Sequence, residues 1–376
     1  MDIHLEEVHQ LRPNARFILF DACFNGSFHL DDYQAGAYIF NPGKTLATLA
    51  CSVNSIQDKW PNEFLGLMAA GMRIGHFTRL TCFLENHLIG DPTLRFTPTV
   101  DAGFDINQAL TLKTQDMAFW KKQLASPLAD MQALALRELS DANYKEMVSL
   151  LEDSYFSSPS FMVRLEALRL LALNYPSQSI NVMKAALNDS YELIRRYAAE
   201  YVEKNGSPEL LSAWMEGYLQ RSHEKRFRFK VTGGLDAFPY ADTKAELEKQ
   251  ANQLTLFDRS HVDALLKQLP RNEQGMARDI ETITNPESKA SHVRRDLRIF
   301  RNHPVGGKPL EMIIDFVKDD SRPTDQRLTA AEVLGWYNLY HNKANIILAL
   351  QTIQTDDKAL MNEIQKTIAR LEGKNR

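Results

Sequence analysis

Apolar and polar positions along this chain follow two different periods. Up to about residue 98 the apolar residues come in short blocks. "RFILF" at 16–20 and "TLATLA" at 45–50 are bounded by Asp, Pro, Gly and Ser, the form of buried parallel strands. A polar, glycine-containing connection, "NGSFHLDDYQAGAYIFNPGK", separates them. "NEFLGLMAAGMRIGHFTRL" at 62–80 then repeats apolar residues at helical spacing, which predicts one helix with Asn62 as its N-cap. "LIGDPTLRFTP" at 88–98 predicts a turn and one more short strand. Strand–helix–strand order implies a layered α/β unit. So few strands make a thin sheet, which reads as part of a domain.

From about Gln115 the period becomes helical and the segments repeat. "QALALREL" at 132–139, "RLEALRLL" at 164–171, "RRYAAEYV" at 195–202 and "RLTAAEVL" at 327–334 share one pattern. Ala135, Ala167, Ala198 and Ala330 occupy its small position, and Leu139, Leu171, Val202 and Leu334 lie four residues later. The first three units are spaced 32 and 31 residues apart. An alanine there lets neighbouring helices approach, and the apolar residue four further on faces the same seam. Arg164, Arg195 and Arg327 recur at the helix start, placed to reach over the apolar face or to bind a carboxylate of the next unit. The pattern resembles HEAT-type repeats, and residues 221–310 fit the period poorly. The expected domains are an α/β part over 1–98, a linker over 99–114 and α-helical repeats over 115–376.

Bulk properties narrow the function classes. At 376 residues the chain is long enough for two domains. Hydrophobic residues make up 44% and charged residues 24%, as in an ordinary globular protein. A net charge of −4 gives no global attraction to nucleic acid or to an anionic membrane. No apolar run is long enough for a membrane span. "RSHEKRFRFK" at 221–230 and "RRDLRIFR" at 294–301 are basic with interleaved aromatics, but such runs are more often solvated helix faces, so nucleic acid is an unlikely partner.

Cys23, Cys51 and Cys82 form no CxxC clip, and no metal or cofactor is expected. Cys51 and Cys82 sit in apolar settings and read as small buried hydrophobes. Cys23 differs: it follows a strand and precedes the break at Asn25-Gly26, in "FDACFNGSF". Strand ends are where α/β folds place reactive groups. Amides of the Asn25-Gly26 turn could point back toward the sulfur and stabilise an oxyanion. Physics alone leaves two readings of Cys23, a nucleophile or a buried strand-end thiol.

"FDACFNGSF", "TLATLACSVNSIQDKW", "LGLMAAGMRIG" and "ENHLIGDPTLRF", in that order, resemble the C-terminal half of the gingipain-type (family C25) cysteine peptidase domain of the caspase-like clan. The resemblance covers residues 14–98. It implies a caspase-like partial fold, Cys23 as nucleophile, a backbone contribution to the oxyanion hole at Cys23, Trp60 lining a substrate pocket, and a structural turn at Gly90, Asp91 and Pro92. The family's general base is a histidine of a His-Gly pair upstream of the cysteine. This sequence has 22 residues before Cys23 and no His-Gly pair. The base is therefore expected upstream of Met1, in a longer protein whose truncated copy this chain would be. His4 and His9 read as part of a helix pointing elsewhere, His76 as a helix-face residue and His87 as a loop residue. His29, six residues past Cys23, could approach it, although the family does not use it.

Two function classes follow. The first is a cysteine-type endopeptidase acting on protein or peptide substrates, secreted or in the cell envelope as the resemblance implies, with the repeats offering a concave face to a protein partner. The second is a non-catalytic helical-repeat scaffold for protein–protein interaction carrying a degenerate peptidase remnant.

Overall fold

The computed structural model describes residues 4–54, 64–81, 85–221, 223–252 and 256–374. The described residues are mostly helical, with one small mixed sheet. It divides into two compact units, one ending at Met147 and the other starting at Val148.

The first unit opens with α1 (Leu5–Val8), β1 (Phe17–Leu19), α2 (Gln34–Phe40), β2 (Ala47–Cys51), α3 (His76–Thr81) and β3 (Asn86–Gly90). The sheet order is β1-β2-β3. β1 runs parallel to β2, with Phe17 opposite Ala47 and Leu19 opposite Leu49. β3 is antiparallel to β2, with Ala50 opposite His87 and Cys51 opposite Asn86. Every residue of the central β2 is buried, which explains why its sequence is an unbroken apolar run rather than an alternating one. α2 packs on β2 and β3.

Both expected strands of the parallel pair form, but the third lies ahead of the turn rather than after it. Gly90 ends it at φ +106°, and a Cβ there would sit 2.2 Å from the Leu46 carbonyl oxygen, so only glycine fits. Asp91 then caps the turn, its Oδ1 accepting from the Thr93 N–H at 2.8 Å and the Thr93 hydroxyl at 2.6 Å. The single helix expected over 62–80 is corrected. A 3₁₀ stretch, Leu65–Ala70, follows Phe64 at φ 62° and ends at Gly71 at φ +80°. The chain then restarts as α3 at His76. Left-handed residues at both ends of the 3₁₀ stretch break the helical path. Asn62 lies outside the described residues.

Residues 99–114, expected as a linker, contain α4 (Ile106–Leu112), capped by Asp105 and burying Ile106, Ala109 and Leu110. α5 (Met117–Gln123) and α6 (Ala129–Asp141) follow in the same unit. α6 carries the first of the repeated segments. It is tied to α3 by Arg79 Nη2 donating to Glu138 Oε1 at 3.0 Å and by the Arg137 guanidinium on the Leu80 carbonyl.

The second unit is all helix: α7 (Met147–Ser157), whose first residue belongs to the other unit, α8 (Phe161–Asn174), α9 (Ile180–Ala186), α10 (Glu192–Asn205), α11 (Leu211–Gln220), α12 (Lys225–Gly233), α13 (Tyr240–Ala251), α14 (Leu256–Thr284), α15 (Ala290–Asn302), α16 (Lys308–Lys318), α17 (Thr324–Leu334), α18 (Lys343–Gln351) and α19 (Lys358–Glu372). Alternate helices pack on one another, α8 on α10, α10 on α12, α15 on α17 and α17 on α19, an arrangement compatible with helical repeats. Ala135, Ala167, Ala198 and Ala330 are fully buried, as are Leu139, Leu171, Val202 and Leu334. The irregular middle is occupied by α14, a 29-residue helix with Pro270 inside it.

The recurrent arginines bind forward in the sequence as expected at two positions. Arg164 grips Asp189 through Nε and Nη2 at 2.8 and 2.9 Å, and the Tyr155 hydroxyl donates to the same carboxylate. Arg195 grips Glu224, the N-cap residue of α12, at 3.1 and 2.6 Å. Arg294 pairs likewise with Asp325 in the first turn of α17. Arg327 donates backward to the Val317 carbonyl at 2.9 Å, and its charge also acts forward on Asp357, the N-cap residue of α19. Each of these acids lies close to the start of the next stacked helix, where negative charge is also favoured by the helix dipole.

One set of contacts joins segments far apart in sequence. The Asn205 carbonyl accepts from the His341 N–H at 3.0 Å and pairs with its Nδ1 at 2.9 Å, while Asn205 Nδ2 donates to the Pro176 carbonyl. His303 approaches Glu203 at 3.7 Å in the same region.

Candidate active site

Cys23, Asn25 and Gly26 lie together at one end of the small sheet. Parallel pairing sends β1 and β2 out in the same direction, and antiparallel β3 enters there. Past Leu19, the Phe20 N–H still donates to the Leu49 carbonyl at 2.8 Å. The chain then turns back, with the Phe24 N–H on the Val53 carbonyl at 3.0 Å and the Gly26 N–H on the Cys51 carbonyl at 2.8 Å. Residues 24–26 thus occupy the place beside β2 that β1 has left. The reversal uses Phe24 at φ 59°, a left-handed conformation uncommon for a bulky residue.

Cys23 sits on this reversal and is exposed, which removes the reading as a buried strand-end thiol. The expected role of the Gly26 amide as an oxyanion donor is corrected, because that N–H is committed to the Cys51 carbonyl. Gly26 is required for another reason: a Cβ would lie 2.8 Å from the carbonyl carbon and oxygen of Ala50. Asn25 contributes its carbonyl, which accepts from the Ala35 N–H at 2.9 Å and fixes the loop to the start of α2. Trp60 and Cys82 lie outside the described residues.

Cys51 is buried as expected, and its thiol donates to Asn86 Oδ1 at 2.6 Å. Burial pushes this thiol up, with Asp21, Cys23 and Glu85 adding to the effect, so Cys51 is a protonated thiol at neutral pH. His9 pairs with Asp32 at 2.9 Å. His76 opens α3, and its burial, together with Arg79 and Arg73, pushes the imidazole down.

His87, expected in a loop, instead lies on β3. Its Nε2 is 2.8 Å from Ser52 Oγ, and the Phe28 ring stands edge-on to it at 4.7 Å between centroids. Burial pushes this imidazole down, against an opposing pull from the Glu85 carboxylate. The Ser52–His87 pair is not legible in the sequence because its partners are 35 residues apart and "ENH" is too polar to mark a strand.

The basic segments of the second unit are largely answered locally. Lys230 pairs with Glu200 at 2.8 Å, Arg295 with Asp296 at 2.6 Å, and Arg301 faces Glu332 and the Trp336 ring. Phe227 is buried, so the aromatics at 227 and 229 are not a paired stacking platform. Among the described residues no group of His, Cys, Asp and Glu side chains is arranged to hold a metal ion, and no helix is long and apolar enough to cross a membrane. Compared with protein-family models and with the curated proteins, the chain matches none.

Proposed function

We propose that the first unit carries the nucleophile of a gingipain-like cysteine endopeptidase and that Cys23 is that nucleophile. The observation that supports this reading most is the exposure of Cys23 on the reversal that follows β1, a loop held beside the buried β2 by the Phe24 and Gly26 amides. A thiolate there would attack a peptide carbonyl; the C–N bond breaks, the amine leaves carrying a proton, and the resulting thioester is hydrolysed by water to the carboxylic acid, which restores Cys23. The caspase-like half-domain, Trp60 in a substrate pocket and a secreted or envelope location belong to the same proposal. A peptidyl ketone probe directed at thiols should label Cys23 and lose its target in Cys23→Ala. Peptide cleavage that persists unchanged in Cys23→Ala would overturn the assignment.

A second reading, a HEAT-like solenoid that acts as an interaction scaffold, is favoured by the buried alanine seam and the arginine–carboxylate pairs of the second unit. It requires that partner binding survive Cys23→Ala and vanish when residues 148–376 are removed.

A further inference from the structure

Ser52 lies one residue past the end of β2, the central strand, and its N–H donates to the Glu85 carbonyl at 3.0 Å. His87 stands opposite Ala50, so strand alternation places it diagonally across from Ser52 on one side of the sheet. Their side chains meet at 2.8 Å. We propose that Ser52 is a nucleophile with His87 as its general base, in a site that accepts esters with an apolar acyl group. This goes beyond the Cys23 reading and does not depend on it.

Three features carry the assignment. The Oγ–Nε2 separation is the nucleophile–base geometry that hydroxyl nucleophiles require, and the Phe28 ring holds the imidazole in place. An imidazole whose basicity is lowered by burial stays neutral at pH 7, and in the tautomer that carries its proton on Nδ1 the Nε2 atom accepts the Ser52 proton; the Glu85 carboxylate acts on the cation that forms when the proton moves. Around the pair, Phe24, Phe28 and Val53 are exposed apolar side chains on the reversal and on the end of β2, where an acyl chain would gain contact.

The chemistry balances without any further reactant. Ser52 Oγ attacks the ester carbonyl carbon and its proton passes to His87 Nε2. The tetrahedral intermediate expels the alcohol, which takes that proton. Water then attacks the acyl-serine with His87 again as base, releasing the carboxylic acid and restoring Ser52.

A fluorophosphonate tests this directly on the full chain. The Oγ–P bond forms, the P–F bond breaks, fluoride leaves and the proton goes to His87. The expected result is an adduct localised by mass spectrometry to Ser52 in the parent protein and in Cys23→Ala. It should be absent in Ser52→Ala and form about 100-fold more slowly in His87→Gln. The parent rate should rise with pH through a midpoint below the ordinary histidine value, a dependence His87→Gln should lack. Circular dichroism and thermal unfolding certify that each variant is folded. No adduct on Ser52 in the folded parent, or an equal rate in folded His87→Gln, would overturn the proposal, whatever becomes of Cys23.

Discussion

The loop around Phe24–Leu30 in the first unit and the stacked helices of the second place polar and apolar groups in opposite ways. In the second, charged groups go inside in matched pairs: the side chains of Arg195 and Glu224 are 10% and 13% exposed, and Arg164 and Asp189 are buried to a similar degree. In the first, apolar groups come outside. Phe24, Phe28 and Leu30, all more than half exposed, crowd a loop only a few residues long. Paired charges on stacked helices set the register between one helix and the next. Exposed aromatics on a loop contribute little to folding and a great deal to contact with something else. The difference separates a region built for regular stacking from one built to present a surface.

That contrast can be broken from either side. The largest effect is expected at Arg195→Ala, which takes the guanidinium from the buried Glu224 and leaves the exposed His223 ring 3.9 Å from it; it should cost about 3–5 kcal/mol in urea unfolding and raise hydrogen exchange in α10 and α12. The double variant Arg195→Met, Glu224→Leu should recover most of that loss, and a failure to recover would show that the pair does more than fill space.

A similar test uses acid. Burial alone would raise Glu200, but the ammonium groups of Lys204 and Lys230 outweigh it and hold the carboxyl down at about 2. Because the folded value lies below the ordinary one, the stabilisation is fully present above about pH 4.5 and is lost as pH falls from there toward 2. The contribution is about 3 kcal/mol at neutral pH, and Glu200→Gln should flatten acid unfolding over that window.

In the first unit the effects are expected to shrink. Gly26→Ala forces a methyl against the Ala50 backbone and should cost about 1–3 kcal/mol. Hydrogen exchange over residues 24–26 should rise as the loop leaves β2. Phe28→Ala, at a side chain 56% exposed, should change thermal stability by no more than ~0.5 kcal/mol. A large loss there would mean that the exposed apolar loop is a structural element, and the contrast between the units would fail.

What the sequence disclosed follows the range of the interactions. The alanine seam was legible because each helix repeats one local pattern, and burial at Ala167 and Ala198 follows from spacing alone. The forward reach of Arg164 and Arg195 was legible for the same reason. The bond from Arg327 to the Val317 carbonyl was not, since that carbonyl lies on the preceding helix, outside the repeated segment. The broken helix between Phe64 and His76 was hidden by apolar residues that keep helical spacing while Gly71 turns left-handed. Cys23 was visible as a residue that follows a strand and precedes a break. Its reversal against β2 was not, because the amides of Phe24 and Gly26 bind carbonyls about 25 to 30 residues later in the chain.

The tie between Asn205 and His341 has a consequence for how the second unit comes apart. Where repeats touch only their immediate neighbours, unfolding travels from the ends and loses one unit at a time. A hydrogen-bonded bridge across 136 residues makes the intervening helices members of a closed circuit. Fraying at the C-terminal helices then exposes the end of α10 as well, so damage at one end is felt in the middle. The expected behaviour is a single cooperative transition in which α10 and α17 lose protection together, rather than a sequence of small steps.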